Sequence, residues 1–463
     1  MVVPAPAPHS VAVLYFDNLS RDTTDAYLAD GLTDEIIARL GQIERLQVKS
    51  RTAVARYRDA TLDPRELGRT LAVAFLVNGT IRRGAGRLRV TVELVHAANG
   101  NRLWGQQYDR IDADLLAIEE DIARAVVAAV AGRLAPSERA SLAVRPTRSA
   151  AAYDHYLRGN YALAQRTQGG LARALAEYQA ALRLDSTFAS ALSRIAYTYA
   201  QYLIFEWPVP GLPAESLLQH GMATADRAVR LDSTSSDAWM ARGYWLQIRN
   251  PVTFRGVGDA FQRAIALDPE NAEAHHHYGQ ALIWLGDDSS AEAAFRRALT
   301  IDPARPRTMR FMALLRLLQH AYPQALSWAD SAVAMDSTFV QVYVDRARAH
   351  RLLGDTAGAR RDADLVQQFA SAGMERWTQV TRVLADAAAG DTLAARARRS
   401  VISSNSCWRL VGPAPPVSRE RILGDRAGRR GGAGPCAQHL GERAPLGPPA
   451  WRITPCAGVR CDS

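Results

Sequence analysis

Hydrophobic residues recur with helical spacing from about residue 151 to residue 400 of this chain. Four similar helical stretches end on Asp232, Asp268, Asp302 and Asp336. Each aspartate precedes a proline or a serine, residue types that favour turns. A nearly constant period of about 34 residues, with a turn closing every unit, predicts stacked helix pairs that hide their apolar sides against one another.

One unit, residues 272–303, shows the packing pattern most clearly. Small residues on facing stripes let the two helices of a pair approach closely, and a large aromatic side chain fills the remaining space. The predicted stripes contain His275, Tyr278, Gly279 and Leu282 in the first helix and Ala291, Phe295 and Ala298 in the second.

The region before the repeats alternates strands with helices. Residues 11–16 and 46–50 suit buried strands, Asp63-Pro64 begins a short helix, and residues 88–94 alternate between apolar and polar types. The resulting order, βαβαβββα, predicts an α+β domain with helices over one sheet. Two of its helices carry a continuous apolar face, made of Leu28, Leu32, Ile36 and Leu40 in one and Leu115, Ile118, Ile122, Val126 and Val130 in the other.

These patterns divide the chain into five parts: a linker remnant (1–10), the α+β domain (11–134), a polar linker (135–150), an all-α solenoid (151–400) and a tail (401–463). The tail is rich in proline and glycine and has no apolar periodicity. This composition predicts a disordered segment and is consistent with an out-of-frame coding end. Its Cys436, His439, Cys456 and Cys461 lack the hydrophobic pattern that would hold a zinc site together.

The net charge of +9 does not indicate a nucleic-acid-binding surface. The tail has nine arginines against four acidic residues, which leaves +4 for the rest of the chain, without a clustered basic face. No apolar run approaches the roughly 18 residues that a membrane-spanning helix needs. We therefore expect a cytoplasmic location for the chain as it stands, or a periplasmic or membrane-attached one if it is part of a longer protein.

Side chains that could support catalysis or metal binding have simpler structural interpretations. His275, His276 and His277 are consecutive on a helix and point about 100° apart, so they cannot converge on one metal ion. Asp34, Glu35 and Glu119 are interpreted as parts of solvated helix faces. Neither a phosphate-binding Gly-Lys-Ser/Thr motif nor kinase signatures occur in the sequence. We therefore predict a protein without enzymatic activity, cofactor or metal.

The groove of the stack is the remaining candidate site. First-helix residues off the packing stripe should point inward, with aromatic residues and Met toward the amino end and arginines toward the carboxyl end. Such a surface suits a peptide with apolar anchors and acidic residues, although the arginines could instead only solvate the array. The candidates are Tyr197, Met240, Tyr244, Gln247, His276, Gln280, Arg307, Arg310, Arg348 and Arg351.

The repeats resemble the tetratricopeptide repeat (TPR) family, with about six units over residues 151–370 and a degenerate cap to about residue 400. Small residues stand at matching places, such as Gly279, Ala313 and Ala347, and Trp239 occupies a position where the family often has Trp. The resemblance implies a right-handed superhelix whose inner groove binds a peptide or a partner protein.

The first region resembles the TolB amino-terminal-like domain, through residues 11–40 and 75–109 and the link into residues 151–164. In that family the domain and its repeats commonly form the sensory or partner-binding half of a larger bacterial signalling protein. The other half is a winged-helix regulator, a class III nucleotide cyclase or a Ser/Thr kinase. The resemblances thus leave two functions open: a scaffold that binds partner peptides, or the sensory half of a larger protein.

Overall fold

The computed structural model describes residues 6–20, 22–55, 57–58, 63–111, 115–165, 167–204, 207–249, 256–369 and 375–390. Two regions follow one another along these residues, an α+β domain and an array of helices, as predicted. The predicted tail and its cysteines lie outside the described residues.

The α+β domain is built on a six-stranded mixed sheet of order β3-β1-β4-β5-β6, with β2 beside β4. Strands β1, β3 and β4 are parallel, and β4, β5 and β6 form an antiparallel meander. Parallel strands are buried on both faces, and Val11, Ala12 and Val13 of β1 are accordingly fully buried. The strands are β1 (Ala7–Val13), β2 (Asp17–Asn18), β3 (Gln47–Val48), β4 (Val73–Gly84), β5 (Arg87–His96) and β6 (Asn101–Ile111).

Five helices accompany this sheet, and the two predicted apolar faces are confirmed. Leu32, Ile36 and Leu40 of α1 are fully buried, as are Ile118 and Ile122 of α4. Asp63 caps α3 by accepting a hydrogen bond from the Arg65 amide nitrogen at 2.7 Å. The helices are α1 (Ala26–Gly41), α2 (Arg51–Ala55), α3 (Pro64–Leu71), α4 (Leu115–Ala131) and α5 (Pro136–Leu142).

Two boundaries predicted from the sequence are wrong. The sheet begins at Ala7, so residues 7–10 belong to β1 rather than to a linker, and Ser10 pairs with Gln47. The region assigned to a polar linker contains α5, whose end is anchored by buried Leu142. Both segments are short and mostly polar, and their structure depends on contacts with residues distant in sequence.

The described residues of the second region form six helix pairs, followed by one further helix. In the unit that was predicted most clearly, the stripe of the second helix is confirmed: Ala291, Phe295 and Ala298 are fully buried. A Cβ atom added to Gly279 would lie only 2.7 Å from Phe295 Cε1, so glycine is needed for this close approach. The pairs are α6 (Ala150–Ala164) with α7 (Gln168–Leu184), α8 (Ala189–Ile204) with α9 (Ala214–Leu231), α10 (Ser236–Arg249) with α11 (Val257–Leu267), α12 (Ala272–Leu285) with α13 (Asp288–Ile301), α14 (Pro306–Leu318) with α15 (Tyr322–Met335) and α16 (Val340–Leu352) with α17 (Thr356–Phe369); α18 (Glu375–Ala388) packs on the last pair.

The α+β domain packs directly against the first helix pair. Helix α1 contacts α6 so closely that a Cβ atom on Gly31 would lie 2.9 Å from Leu157 Cδ2. The Tyr27 hydroxyl donates a hydrogen bond to Asp154 Oδ1 at 2.5 Å and accepts one from Arg158 Nη2 at 2.9 Å. The domain therefore covers the amino-terminal end of the helix array, the end that would otherwise expose apolar surface.

A buried polar network joins the two regions. The fully buried carboxylate of Glu119 accepts hydrogen bonds from the Tyr153 hydroxyl at 2.8 and 2.9 Å and lies 3.5 Å from Arg39 Nη2. Arg39 also donates to the carbonyl oxygen atoms of Leu142 and Val144. The prediction that Glu119 lies on a solvated helix face is thus wrong, because the first repeat helix covers it.

Candidate functional site

The first helix of each pair faces the inner side of the array. First helices of successive pairs contact one another, from α8 to α10, α12, α14 and α16, whereas second helices mainly contact their neighbours in the chain. The shorter spacing between first helices places them on the concave side of a curved stack. The predicted groove is therefore formed by α8, α10, α12, α14 and α16.

In the amino-terminal half of this groove, a hydrogen bond spans two repeats. The Tyr197 hydroxyl on α8 donates to Glu273 Oε1 on α12 at 3.3 Å, with α10 between them in the stack. Glu273 also pairs with Arg305 and lies 3.6 Å from Arg307 Nη1. We refer to Tyr197, Glu273, Arg305 and Arg307 as the groove bridge.

Tyr244 on α10 lies beside the groove bridge. Its ring is 5.0 Å from the ring of His277 in an edge-to-face arrangement. Burial raises the pKa of the Tyr244 phenol above its usual value, so its hydroxyl is neutral. Met240, one turn earlier on the same helix, is only 4% exposed. Of the aromatic and Met side chains predicted for this half of the groove, Met240 is thus covered, and Tyr197 and Tyr244 are half-buried.

The three consecutive histidines occupy three different environments. His275 is half-buried, with its Nε2 atom 3.0 Å from the Pro269 carbonyl oxygen. His276 is fully buried; its Nδ1 atom lies 3.0 Å from Thr308 Oγ1, and its ring meets the edge of Phe311. Burial lowers the pKa of His276 well below its usual value.

The third histidine, His277, is also buried and uncharged. Burial first, and the positive charge of Arg307 second, lower its pKa to about 3. Its Nδ1 atom lies 3.2 Å from Gln280 Oε1, and its Nε2 atom lies 3.2 Å from Glu273 Oε1. In the part of the chain that the structure describes, no group of three His, Cys, Asp or Glu side chains is arranged to hold a metal ion.

The carboxyl-terminal half of the groove is more strongly cationic. Arg310 on α14 donates to Asp345 Oδ2 on α16 at 2.6 Å, and Asp345 is itself buried. Arg348 and Arg351 follow on the same helix as Asp345 and are half-buried. The groove arginines were predicted to bind acidic residues of a peptide. Part of their positive charge is instead neutralised by two acidic residues of the chain itself, Asp345 and Glu273.

The structure corrects two of the ten predicted groove residues. Met240 and His276 are buried rather than exposed in the groove, because neighbouring first helices pack closely over these positions. The predicted positions of His275 and His276 are reversed for the same reason. His275, which was assigned to the packed stripe, is half-buried, whereas His276, which was assigned to the groove, is fully buried. The other eight are half-buried, namely Tyr197, Tyr244, Gln247, Gln280, Arg307, Arg310, Arg348 and Arg351.

Sequence reasoning missed the acidic side chains that pair with these arginines. Glu273 and Arg307 are separated by one repeat length and therefore occupy equivalent positions in successive units. Opposite charges at equivalent positions of adjacent first helices are a signal that aligning the units could have revealed. Trp284 was also missed; it lies one helical turn beyond Gln280 on α12 and is half-buried.

Among the described residues, no helix has both the length and the apolar character that a membrane span requires.

Comparison with protein families gives two matches. Residues 258–315 match a model described as tetratricopeptide repeat. Residues 7–123 match a model described as the second domain of HilA/YgeH-like transcriptional regulators. The latter match begins where β1 begins; the resemblance of this region to the TolB amino-terminal-like domain stays a prediction.

Among curated proteins, the chain is similar to a protein of Rhizobium meliloti (strain 1021) described as "Putative adenylate cyclase 3". The identity is 30% over 229 residues, which cover 50% of this chain and 38% of the relative. The chain thus matches well under half of that relative's length.

Comparison with solved structures gives further matches, of which two are described. An IFIT1 monomeric mutant with Gppp-AAAA superposes with a TM-score of 0.50 at 11% identity, covering 87% of this chain and 88% of the other. A tetratricopeptide repeat protein from Parabacteroides merdae ATCC 43184 gives a TM-score of 0.39 at 15% identity, covering 56% and 94%. The six described helix pairs, their small-residue contacts and the repeat model that matches residues 258–315 together show that the second region of this chain has the tetratricopeptide repeat fold.

Proposed function

We propose that this chain is a non-enzymatic interaction protein whose repeat groove binds a peptide segment of a partner. The observation that carries the proposal is the run of half-buried polar and aromatic side chains on consecutive first helices, from Gln247 through Gln280 and Trp284 to Arg348 and Arg351. Partly exposed side chains of these types, on a rigid concave surface, form contacts with a partner at little cost in conformational entropy.

The charges in the groove define the expected partner more closely. We assign Arg348 and Arg351 to acidic residues of the partner, because both are partly exposed and lie one helical turn apart on α16. Arg310 on α14 pairs with Asp345 at the base of the same surface. Trp284 supplies a large apolar surface for an aromatic or aliphatic residue of the partner.

A peptide-display selection tests this assignment. Peptides selected from a random dodecapeptide library on the full chain are measured against the double variant Arg348→Glu and Arg351→Glu. We expect their affinity to fall by at least about tenfold, because two favourable charge contacts become repulsive.

The matched control reverses two exposed arginines on the outer, second helices, Arg230→Glu on α9 and Arg263→Glu on α11. It makes the same change in net charge and should leave the affinity unchanged. Equal binding to the groove variant and to the unmodified chain would contradict the proposed site.

A second proposal is that the chain acts as the regulatory half of a signalling protein. Two observations favour it: the match of residues 7–123 to a domain of transcriptional regulators, and the similarity to the Rhizobium meliloti protein. The tight contact between α1 and α6 supports it further, because a rigid junction could pass a change in the groove to the first domain.

The regulatory role is tested by exchange of segments. The matching segment of the Rhizobium meliloti protein is replaced by this chain, and the formation of cyclic AMP from ATP is measured with and without a selected peptide. We expect the peptide to change the activity of the chimera, and the chain alone to form no cyclic AMP. Activity of the chain alone would refute the non-enzymatic assignment.

A further inference from the structure

Within the groove bridge, the carboxylate of Glu273 occupies the kind of position that an acidic side chain of a partner would take. Glu273 lies in the first turn of α12, with its side chain only 23% exposed. Its carboxylate is approached by Arg305, by Arg307 and by the hydroxyl of Tyr197. Cationic groups with a tyrosine hydroxyl form the kind of site that also holds a carboxylate from another molecule.

An anion between the arginines of the bridge offsets their positive charge. The side chains of Arg305 and Arg307 are 15% and 19% exposed, so water screens their charges only partly. Arg305 also lies 3.4 Å from a second carboxylate, that of Asp302. Loss of the Glu273 carboxylate would leave the two guanidinium groups with less counter-charge than they have now, which is unfavourable. A carboxylate is therefore favoured in this place, but it need not belong to Glu273.

The bridge also joins the two first helices that flank α10. Tyr197 and Glu273 belong to repeats that are not adjacent, and their hydrogen bond passes across the helix between them, α10. On that helix Met240 is buried, and Tyr244 lies next to His277. Because close packing of the neighbouring first helices buries Met240, loss of a bond that holds α8 and α12 together should increase access to these side chains.

We propose that Glu273 is an intramolecular competitor for an acidic group of the partner, and that the groove bridge closes the amino-terminal half of the groove until that group replaces it. This inference rests on the proposed function in one respect, that a peptide is what enters the groove. The closure itself is a property of the free chain.

The closure is tested without a ligand. Met240→Cys supplies a buried thiol on α10, the helix that the bridge crosses, and its maleimide labelling is quantified by mass spectrometry at position 240, because the chain has four native cysteines. Adding Glu273→Gln should accelerate this labelling at least fivefold. Tyr197→Phe removes only the hydroxyl and should accelerate it less.

The control for this experiment is Glu292→Gln. Glu292 on α13 is 17% exposed and pairs with Arg296 and Arg316, so it matches Glu273 in burial and in partners but lies on a second helix. It should leave labelling at position 240 unchanged. Labelling that is equally slow in Glu273→Gln, Tyr197→Phe and the parent would overturn the closure.

The competition is tested with a fluorescein-labelled hexaglutamate peptide and its hexaglutamine counterpart. Glu273→Gln should bind hexaglutamate at least threefold more tightly than the unmodified chain, whereas hexaglutamine should not distinguish the two. Equal or weaker binding, or no binding by either protein, would overturn the role of Glu273 as a competitor.

The two experiments separate this inference from the proposed function. In one outcome, Glu273→Gln accelerates labelling at position 240 while the affinity of the selected peptides is unchanged by Arg348→Glu and Arg351→Glu. In that case the bridge closes the groove, but the peptide site is wrongly assigned. If the selected peptides depend on those arginines while labelling does not respond, the site is correct and the bridge is only a structural contact.

Discussion

The glycine–aromatic contacts within the repeats and the buried polar network at the junction with the first domain use different chemistry. Within a repeat, glycine meets an aromatic ring: Gly279 faces Phe295 and Gly243 faces Phe261, with no polar atom involved. At the junction, fully buried Glu119 bonds to Tyr153 and lies beside Arg39. The first contact depends on shape and the second on satisfied hydrogen bonds.

This difference predicts which kinds of change destabilise each region. A dry, close contact tolerates little added volume but does not respond to pH. A buried charged network is costly when one member is removed, because the remaining groups lose their partners inside the protein. The repeats should therefore be sensitive to side-chain size, and the junction to charge and protonation.

The largest expected effect is the loss of Arg39. Arg39→Met should lower the free energy of unfolding by about 3–5 kcal/mol at pH 8.5, because it leaves a buried carboxylate without its cation. Two carbonyl oxygen atoms, of Leu142 and Val144, lose their donor as well. Urea denaturation followed by circular dichroism measures the change.

Arg102→Met is the control for this prediction. Arg102 forms an ion pair with Glu93 at 2.8 Å on the exposed side of the sheet, with 63% of its side chain accessible. Exposed pairs contribute little, so the change should stay within about 0.5 kcal/mol. A similar loss in both variants would mean that burial of the junction network does not matter.

The next largest effect should come from Gly279→Ala. The added Cβ atom would lie 2.7 Å from Phe295 Cε1, and Phe295 is itself fully buried, so the ring cannot easily move. We expect a loss of about 2 kcal/mol in the free energy of unfolding, measured by the same urea denaturation.

The same substitution at Gly169 should have the opposite sign. Gly169 lies in the first turn of α7, is exposed, and has no atom within 4 Å of an added Cβ. Alanine there should stabilise the chain by about 0.5–1 kcal/mol, because it restricts the unfolded backbone. Destabilisation by both substitutions would argue against tight packing as the cause at Gly279.

The contacts within the repeats could be predicted from the sequence better than those at the junction. Repeat contacts join helices that are neighbours in the chain and recur with a period of about 34 residues, so one clear unit supplied the pattern for the others. The stripes of α12 and α13 followed from spacing alone, apart from the position of His275. Helix α1 was predicted because its apolar residues recur at every fourth position. The strand meander was predicted because apolar and polar residues alternate along residues 88–94.

The junction and the groove could not be predicted in this way. Glu119 was placed on a solvated face because its neighbours in sequence, Glu120 and Asp121, are charged. Its burial comes from Tyr153, which belongs to another region of the chain. The burial of Met240 and His276 likewise depends on how closely consecutive repeats approach, which no single unit encodes.

The effect that separates charge from shape most clearly is the pH dependence of Glu119→Gln. Burial first, and the nearby Glu35 second, raise the pKa of the Glu119 carboxyl to about 8, against the opposing effect of Arg39. Between the ordinary value of 4.5 and about 8, the folded chain thus holds a proton that the unfolded chain releases. Its stability falls as the pH rises through this window.

Glutamine cannot ionise, so the variant lacks this loss. The free energy of unfolding of Glu119→Gln should rise relative to that of the parent by about 1 kcal/mol for each pH unit between 6 and 8. Gly279→Ala should show the same pH dependence as the parent, since its contact has no titratable group. A constant difference between Glu119→Gln and the parent across this range would show that the carboxyl keeps one protonation state, and that Arg39 compensates for its burial.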